Sequence, residues 1–123
     1  MVNEQVMFCM KASAVTLCKT LDMITRVWHG RTSLENSGEY LSFLQGKGTQ
    51  EYAETEGNIS IKIWQRKEAD CCHFFTVTEW ADINAVKAFA GEDYEKAVYY
   101  PEDDGVLLEF EEKVMHYETF ERD

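Results

Sequence analysis

Hydrophobic and polar residues follow a clear pattern from residue 24 onward. ITRVWHG (24–30) alternates β-branched and aromatic residues with polar ones, the period-two mark of a strand. Thr32-Ser33-Leu34-Glu35 then predicts a capping box, the Thr32 hydroxyl accepting from the Glu35 backbone N–H. Leu34, Ser37, Leu41 and Leu44 recur at helical spacing, Tyr40 and Phe43 widen the apolar stripe, and Gly46 and Gly48 end it. The acidic stretch 49–57 predicts a short helical turn and a loop. NISIKIWQR (58–66) is the clearest strand, with Ile59, Ile61 and Ile63 on one face and Ser60, Lys62 and Trp64 on the other. A polar turn at 67–70 leads into CCHFFTVTEW (71–80), its hairpin partner. Asp82 is placed to N-cap a second helix bearing Ile83, Val86, Phe89 and Ala90 on one side, closed by Gly91. Residues 92–98 are expected to add a helical turn in which Glu92 pairs with Lys96. Pro101 stops that run and holds Tyr100 extended. A loop at 102–105 and an apolar segment at 106–110 precede a last strand at about 114–120.

The order β-α-β-β-α-β predicts an α+β fold, the ferredoxin-like split βαβ, with an antiparallel sheet and both helices on one face. The other face should then be polar, and it is not. Trp64 opposes the isoleucines, Phe75 and Val77 oppose Phe74 and Trp80, and Met115 and Tyr117 oppose Val114 and Phe120. Soluble monomers avoid so large an apolar patch, so two sheets packed face to face in a homodimer are expected. Residues 23–120 form the domain and residues 1–22 an N-terminal extension, which offers the alternative cover for that face.

Composition narrows the function. The chain has 123 residues, a domain's length, and a net charge of −11, which argues against nucleic acid or an anionic membrane as partner. No apolar run has the length of a membrane span. Cys9, Cys18, Cys71 and Cys72 form no CxxC pair and no Cys/His set with zinc-ligand spacing, so ordinary thiols in a reducing cytoplasm, and no metal site, are expected.

Dinucleotide, P-loop, metalloprotease and nucleophile-elbow motifs are absent from the sequence. Histidines and large amphipathic aromatics instead collect at strand positions: Trp28-His29, His73, Trp80 and His116-Tyr117, with Tyr99-Tyr100-Pro101-Glu102-Asp103 beyond the second helix. Indole, phenol and imidazole donors on an apolar wall suit a flat, largely apolar small molecule. The plainer alternatives are core or interface tryptophans, surface histidines, tyrosines that pin a loop, and a solvated acidic turn at 102–104.

In order, VWHGRT, EYLSFL, EGNISI, HFFTVTEW, KAFAGEDYEKAVYYPED, LLEF and VMHYE resemble the antibiotic biosynthesis monooxygenase family, in a branch marked by the YYPED block. The resemblance spans roughly residues 23–118 and implies a dimeric α/β barrel. It implies a monooxygenase that uses no cofactor and acts on an aromatic or quinone-type substrate. Dioxygen is a triplet, and an electron-rich phenolate or carbanion can reduce it by one electron. The protein then supplies a dry cavity, a proton acceptor and donors for the oxyanion. On this expectation Trp28, Trp80 and Tyr99 line a cavity between helices and sheet, with His116 and Tyr100 as catalytic residues and His116 as base or donor. Haem-degrading relatives use an Asn on the first strand and a His on the second helix, and neither is matched here. The alternatives are a non-catalytic homodimer that binds a small ligand or serves in stress, and a structural dimerisation module.

Overall fold

The computed structural model describes residues 23–122; the extension expected over residues 1–22, with Cys9 and Cys18, lies outside the described residues. Seven regular elements follow in order: β1 (Ile24–Thr32), α1 (Ser37–Leu44), α2 (Gln50–Glu54), β2 (Asn58–Lys67), β3 (Cys72–Trp80), α3 (Ile83–Ala90) and β4 (Met115–Glu118). The strands form one antiparallel sheet in the order β2-β3-β1-β4, the ferredoxin-like α+β arrangement. Among the described residues no helix is long and apolar enough to cross a membrane.

Strand register decides which side chains meet. On the inward face Ile24, Arg26, Trp28, Gly30 and Thr32 of β1 lie opposite Trp80, Thr78, Thr76, Phe74 and Cys72 of β3. Ile61 and Ile63 of β2 join them on one side, and His116 of β4 lies opposite Arg26 on the other. The helices close this face over two clusters. One gathers Trp28, Tyr40, Leu44, Cys72, Phe74, Leu107 and Val114, the other Tyr52, Trp80, Ala85 and Val86. A β-carbon at Gly30 would sit 2.5 Å from Trp28 Cη2, so the bare glycine lets the indole lie along its own strand. The outward face carries Val27, Trp64, Phe75, Met115 and Tyr117, and Trp64, Met115 and Tyr117 are each more than half exposed.

Several local expectations are corrected. β1 runs on to Thr32, whose hydroxyl donates to the Ser33 carbonyl, so no capping box forms there. The Ser33 hydroxyl instead accepts from the Asn36 N–H at 3.2 Å, α1 starts at Ser37, and Leu34 falls outside its buried stripe. A bulge between Asn58 and Ser60 breaks the isoleucine row, leaving Ile59 exposed. Residues 92–98 are not helical. Ala97 N–H donates to the Glu112 carbonyl and Val114 N–H to the Glu95 carbonyl, a tertiary ladder that replaces the i,i+4 bonds; Glu92 faces Lys87 instead of Lys96. β4 is shorter than expected, and Phe120 lies exposed beyond it. α3 forms as read, with Asp82 Oδ1 accepting from Ala85 N–H at 2.9 Å and Gly91 closing at φ 89°.

Candidate active site

Arg26 occupies the second inward position of β1 and is 1% exposed. Its guanidinium lies over Phe89 of α3, 5.2 Å from the ring centroid, and Nη2 donates to the Lys96 carbonyl at 3.4 Å. No carboxylate among the described residues forms a salt bridge with it, and Nε has no partner. Burial lowers its hold on its proton, while the nearby Tyr52 and Tyr100 phenols oppose that shift. A guanidinium buried without a counter-ion is expensive and favours an anion beside it.

His116 stands next to Arg26 across the β1–β4 ladder. Tyr94 meets its ring edge-on at 5.2 Å, and Nε2 is buried without a partner. Burial first, and the Arg26 charge second, push its pKa down to about 4, with Glu95 opposing. At neutral pH the ring is uncharged and can accept a proton.

Trp28 occupies the next inward position, flanked by Tyr40 and Tyr99 with ring centroids 6.4 and 6.1 Å away. Its Nε1 is a third buried polar atom without a partner. Trp28, Tyr40, Tyr52, Thr76, Tyr100 and Asp103 surround a void of about 10 Å³, room for one water. Asp103 is 2% exposed. Its Oδ1 accepts from the Tyr40 hydroxyl at 2.8 Å, and its Oδ2 from the Tyr100 backbone N–H at 2.8 Å. Burial raises the Asp103 pKa against the pull of those two bonds; burial and Asp103 together raise that of Tyr40. The acidic turn expected to be solvated therefore points its middle carboxylate inward, because Pro101–Asp103 folds into a 3₁₀ turn. The same turn is strapped to the helices: Tyr100 hydroxyl donates to Glu51 Oε1 at 2.9 Å, and Lys47 pairs with Glu102.

Of the five residues expected around a cavity, the structure brings Trp28 and Tyr100 to one void. Tyr99 backs Trp28, and its hydroxyl donates to the Glu111 carbonyl at 2.6 Å. His116 lies on the same sheet face, against Arg26. Trp80 stands apart, fully buried in the second cluster, its indole already donating to Thr78 Oγ1 at 2.9 Å. The space is closed to an aromatic substrate as it stands. An open groove of about 600 Å³ runs outside it past Glu95, Lys96, Tyr99, Phe110 and Glu111. The sequence does not single out Arg26 or Tyr40, and it offers Asp103 only as part of a solvated acidic turn. A usable signal was present only for Arg26, a charged residue at an inward position of an alternating strand.

On the opposite face a second polar group assembles where no metal ligands were expected. Glu68, Cys71 and His73 bring one donor atom each within 4.8 Å of one another, beside His29 and Glu111.

No family model matches the chain, and no curated protein does. Solved structures do match. A conserved protein from Methanosarcina mazei Go1 aligns with TM-score 0.60 and 17% identity over 83% of this chain and 97% of that one. A Bacillus cereus protein described as a candidate antibiotic biosynthesis monooxygenase aligns with TM-score 0.56 and 13% identity over 82% and 98%. SnoaB, a cofactor-independent oxygenase from Streptomyces nogalater, aligns with TM-score 0.50 and 16% identity over 83% and 95%. At these identities the likeness is one of fold: the chain has an antibiotic biosynthesis monooxygenase-like fold, in agreement with the resemblance read from its sequence.

Proposed function

We propose that the protein is a cofactor-independent monooxygenase that oxidises a small, electron-rich aromatic such as a hydroquinone or anthrone at the inward face of β1 and β4. The observation that carries this reading is the buried Arg26 guanidinium, without a counter-ion among the described residues, set beside the neutral, unpartnered His116 ring. A substrate hydroxyl bound there passes its proton to His116, and Arg26 holds the resulting oxyanion. Arrival of the anion itself raises the proton affinity of His116, since an opposite charge favours the imidazolium. The electron-rich ring then reduces dioxygen. For a substrate methylene the balance is R₂CH₂ + O₂ → R₂CO + H₂O, so both hydrogens and all electrons come from the substrate and no external reductant is needed. Trp28 Nε1 is a further donor, and Tyr100 holds the strap that covers the site. Entry requires the 94–100 segment to lift, because Lys96, whose carbonyl accepts from Arg26, also borders the outer groove.

The working unit in this reading is a homodimer in the cytoplasm, its two sheets packed through Trp64, Met115 and Tyr117. Cys71 and Cys72 as free thiols accord with that compartment. Oxygen uptake with a panel of hydroquinones and anthrones tests the activity. Uptake with at least one compound, lost in His116→Asn and reduced in Tyr100→Phe, is expected. Saturable binding without oxygen uptake would establish the ligand-binding alternative instead, and neither binding nor uptake would leave a dimerisation module.

A further inference from the structure

On the outward face, at the β2–β3 turn, close polar contacts link a chain of side chains. Glu111 Oε2 lies 2.5 Å from His29 Nδ1, and His29 Nε2 lies 2.9 Å from His73 Nδ1. A carboxylate only accepts, so His29 Nδ1 carries its proton. With His29 neutral, Nε2 accepts and His73 Nδ1 donates. The lone pair of a neutral His73 is left on Nε2. That atom faces Glu68 Oε1 at 3.2 Å and Cys71 Sγ at 3.7 Å, and Sγ lies 3.9 Å from Glu68 Oε1. In that tautomer Nε2 and Oε1 are two acceptors facing each other, and with Cys71 Sγ they form a three-donor cluster that a cation would fill.

We propose that Glu68, Cys71 and His73 form a zinc-binding site, with His29 and Glu111 as the residues that position His73. The donor set of thiolate, imidazole and carboxylate is one that zinc takes. A tetrahedral zinc with ordinary bonds to S, N and O spans donor–donor edges of about 3.4–3.6 Å, and the three separations here lie around that range. The local fold builds the site. Glu68 N–H donates to the Cys71 carbonyl at 2.8 Å, which closes the turn and brings the first two donors together. Arg66 holds Glu68 Oε2 at 2.9 Å and leaves Oε1 turned toward His73. Cys71 is 4% exposed, whereas its neighbour Cys72 turns the other way into the core. Arg31, anchored by Glu109 at 2.8 Å, also faces the thiol; the thiolate, Glu68, Glu109 and Glu111 outnumber the two guanidinium groups. On binding, the Cys71 thiol releases its proton to solvent as the sulfur–zinc bond forms. Glu68 is exposed, so water reaches the fourth position.

The competing occupant is a proton on the His29–His73 pair, which places an N–H between His73 Nε2 and Glu68. Titration of the full chain with Co²⁺ and then Zn²⁺, under reducing conditions, separates the two. One equivalent of Co²⁺ should produce a thiolate-to-cobalt charge-transfer band in the near ultraviolet and tetrahedral bands in the visible, both removed by Zn²⁺. Cys71→Ser should abolish the charge-transfer band, while the Cys9→Ser/Cys18→Ser double variant keeps it. His29→Gln should weaken Zn²⁺ binding by about 10–100-fold, the usual effect of losing a group that orients a ligand. If Cys71→Ser loses its native circular dichroism, Glu68→Gln at the exposed turn decides, with at least a tenfold loss of Zn²⁺ affinity expected on the same grounds. Absence of the cobalt bands, or bands that survive Cys71→Ser, overturns the site.

Discussion

His116 allows the interior to be probed without a substrate. Its ring is half-buried, faces the Arg26 charge from β1, and meets Tyr94 and Glu95 from the segment before the fourth strand. In the unfolded chain it titrates near 6.5, and in the folded protein near 4. Between those values the unfolded state binds the extra proton, so stability falls as pH drops from about 6.5 through about 4. Full linkage over that interval amounts to about 2 kcal/mol between pH 7 and pH 5 and about 3 kcal/mol by pH 4. Solvent at the exposed part of the ring screens some of the penalty, so about 1–2 kcal/mol is the expected loss by pH 5. Carboxylates titrate in the same range, and with a net charge of −11 their sum is large. The readout is therefore the difference between urea unfolding free energies of the wild type and His116→Gln, measured at each pH. That difference should shift against the wild type as pH falls from 7 to 5. A flat difference would mean that His116 is solvated in the folded protein, and the assignment of a neutral acceptor beside Arg26 would go with it.

Tyr40→Phe removes the hydroxyl donated to buried Asp103. Loss of a hydrogen bond to a charged group should cost about 1.5–3 kcal/mol in urea unfolding at neutral pH. Because burial already raises the Asp103 pKa, its carboxyl protonates in the folded state before the unfolded one does; the deficit should therefore narrow as pH falls, and a deficit independent of pH would refute the ionised Asp103–Tyr40 pair. Trp64→Glu puts a charge on the exposed outward face, on the edge strand β2. It should weaken self-association by about 30-fold or more, as expected when an interface tryptophan is lost. Sedimentation that finds the wild type monomeric at micromolar concentration, or the variant still fully dimeric, rejects that face as the contact.

Much of the fold was legible because its information is local. Strand alternation needs only neighbours two apart, and Ile61, Ile63, Phe74 and Trp80 fall on the inward face as that rule requires. The caps of α3 at Asp82 and Gly91 were equally readable, since each acts within one helical turn. The misreadings occurred where distant chain competes with a local preference. Residues 92–98 have helix-compatible composition, yet Glu95 and Ala97 bond to the segment just before β4, some 15–20 positions on, a pairing that local spacing does not encode. Thr32 and Glu35 match a capping box, but Thr32 is held in β1 by Cys72 across the ladder.

The chemistry was less legible for the same reason, carried one level higher. Glu68, Cys71 and His73 read as a polar turn followed by a strand, and their donors converge only because the turn closes. Their orientation depends on His29 and Glu111, some 40 residues away on either side. Arg26 shows the limit most clearly. In ITRVWHG it passes for one polar member of an alternating strand, yet strict alternation places it on the same side as Ile24 and Trp28. An arginine there is a contradiction that hydropathy alone resolves by assuming exposure. The structure resolves it the other way: the side chain is buried, capped by an aromatic ring and, among the described residues, left without a counter-ion. Burying a guanidinium is costly unless something answers its charge, and His116, beside it across the β1–β4 ladder, is neutral. An anionic ligand would relieve both groups at once, which is why this pair, and not the more conspicuous tryptophans, anchors the proposed oxygenase site.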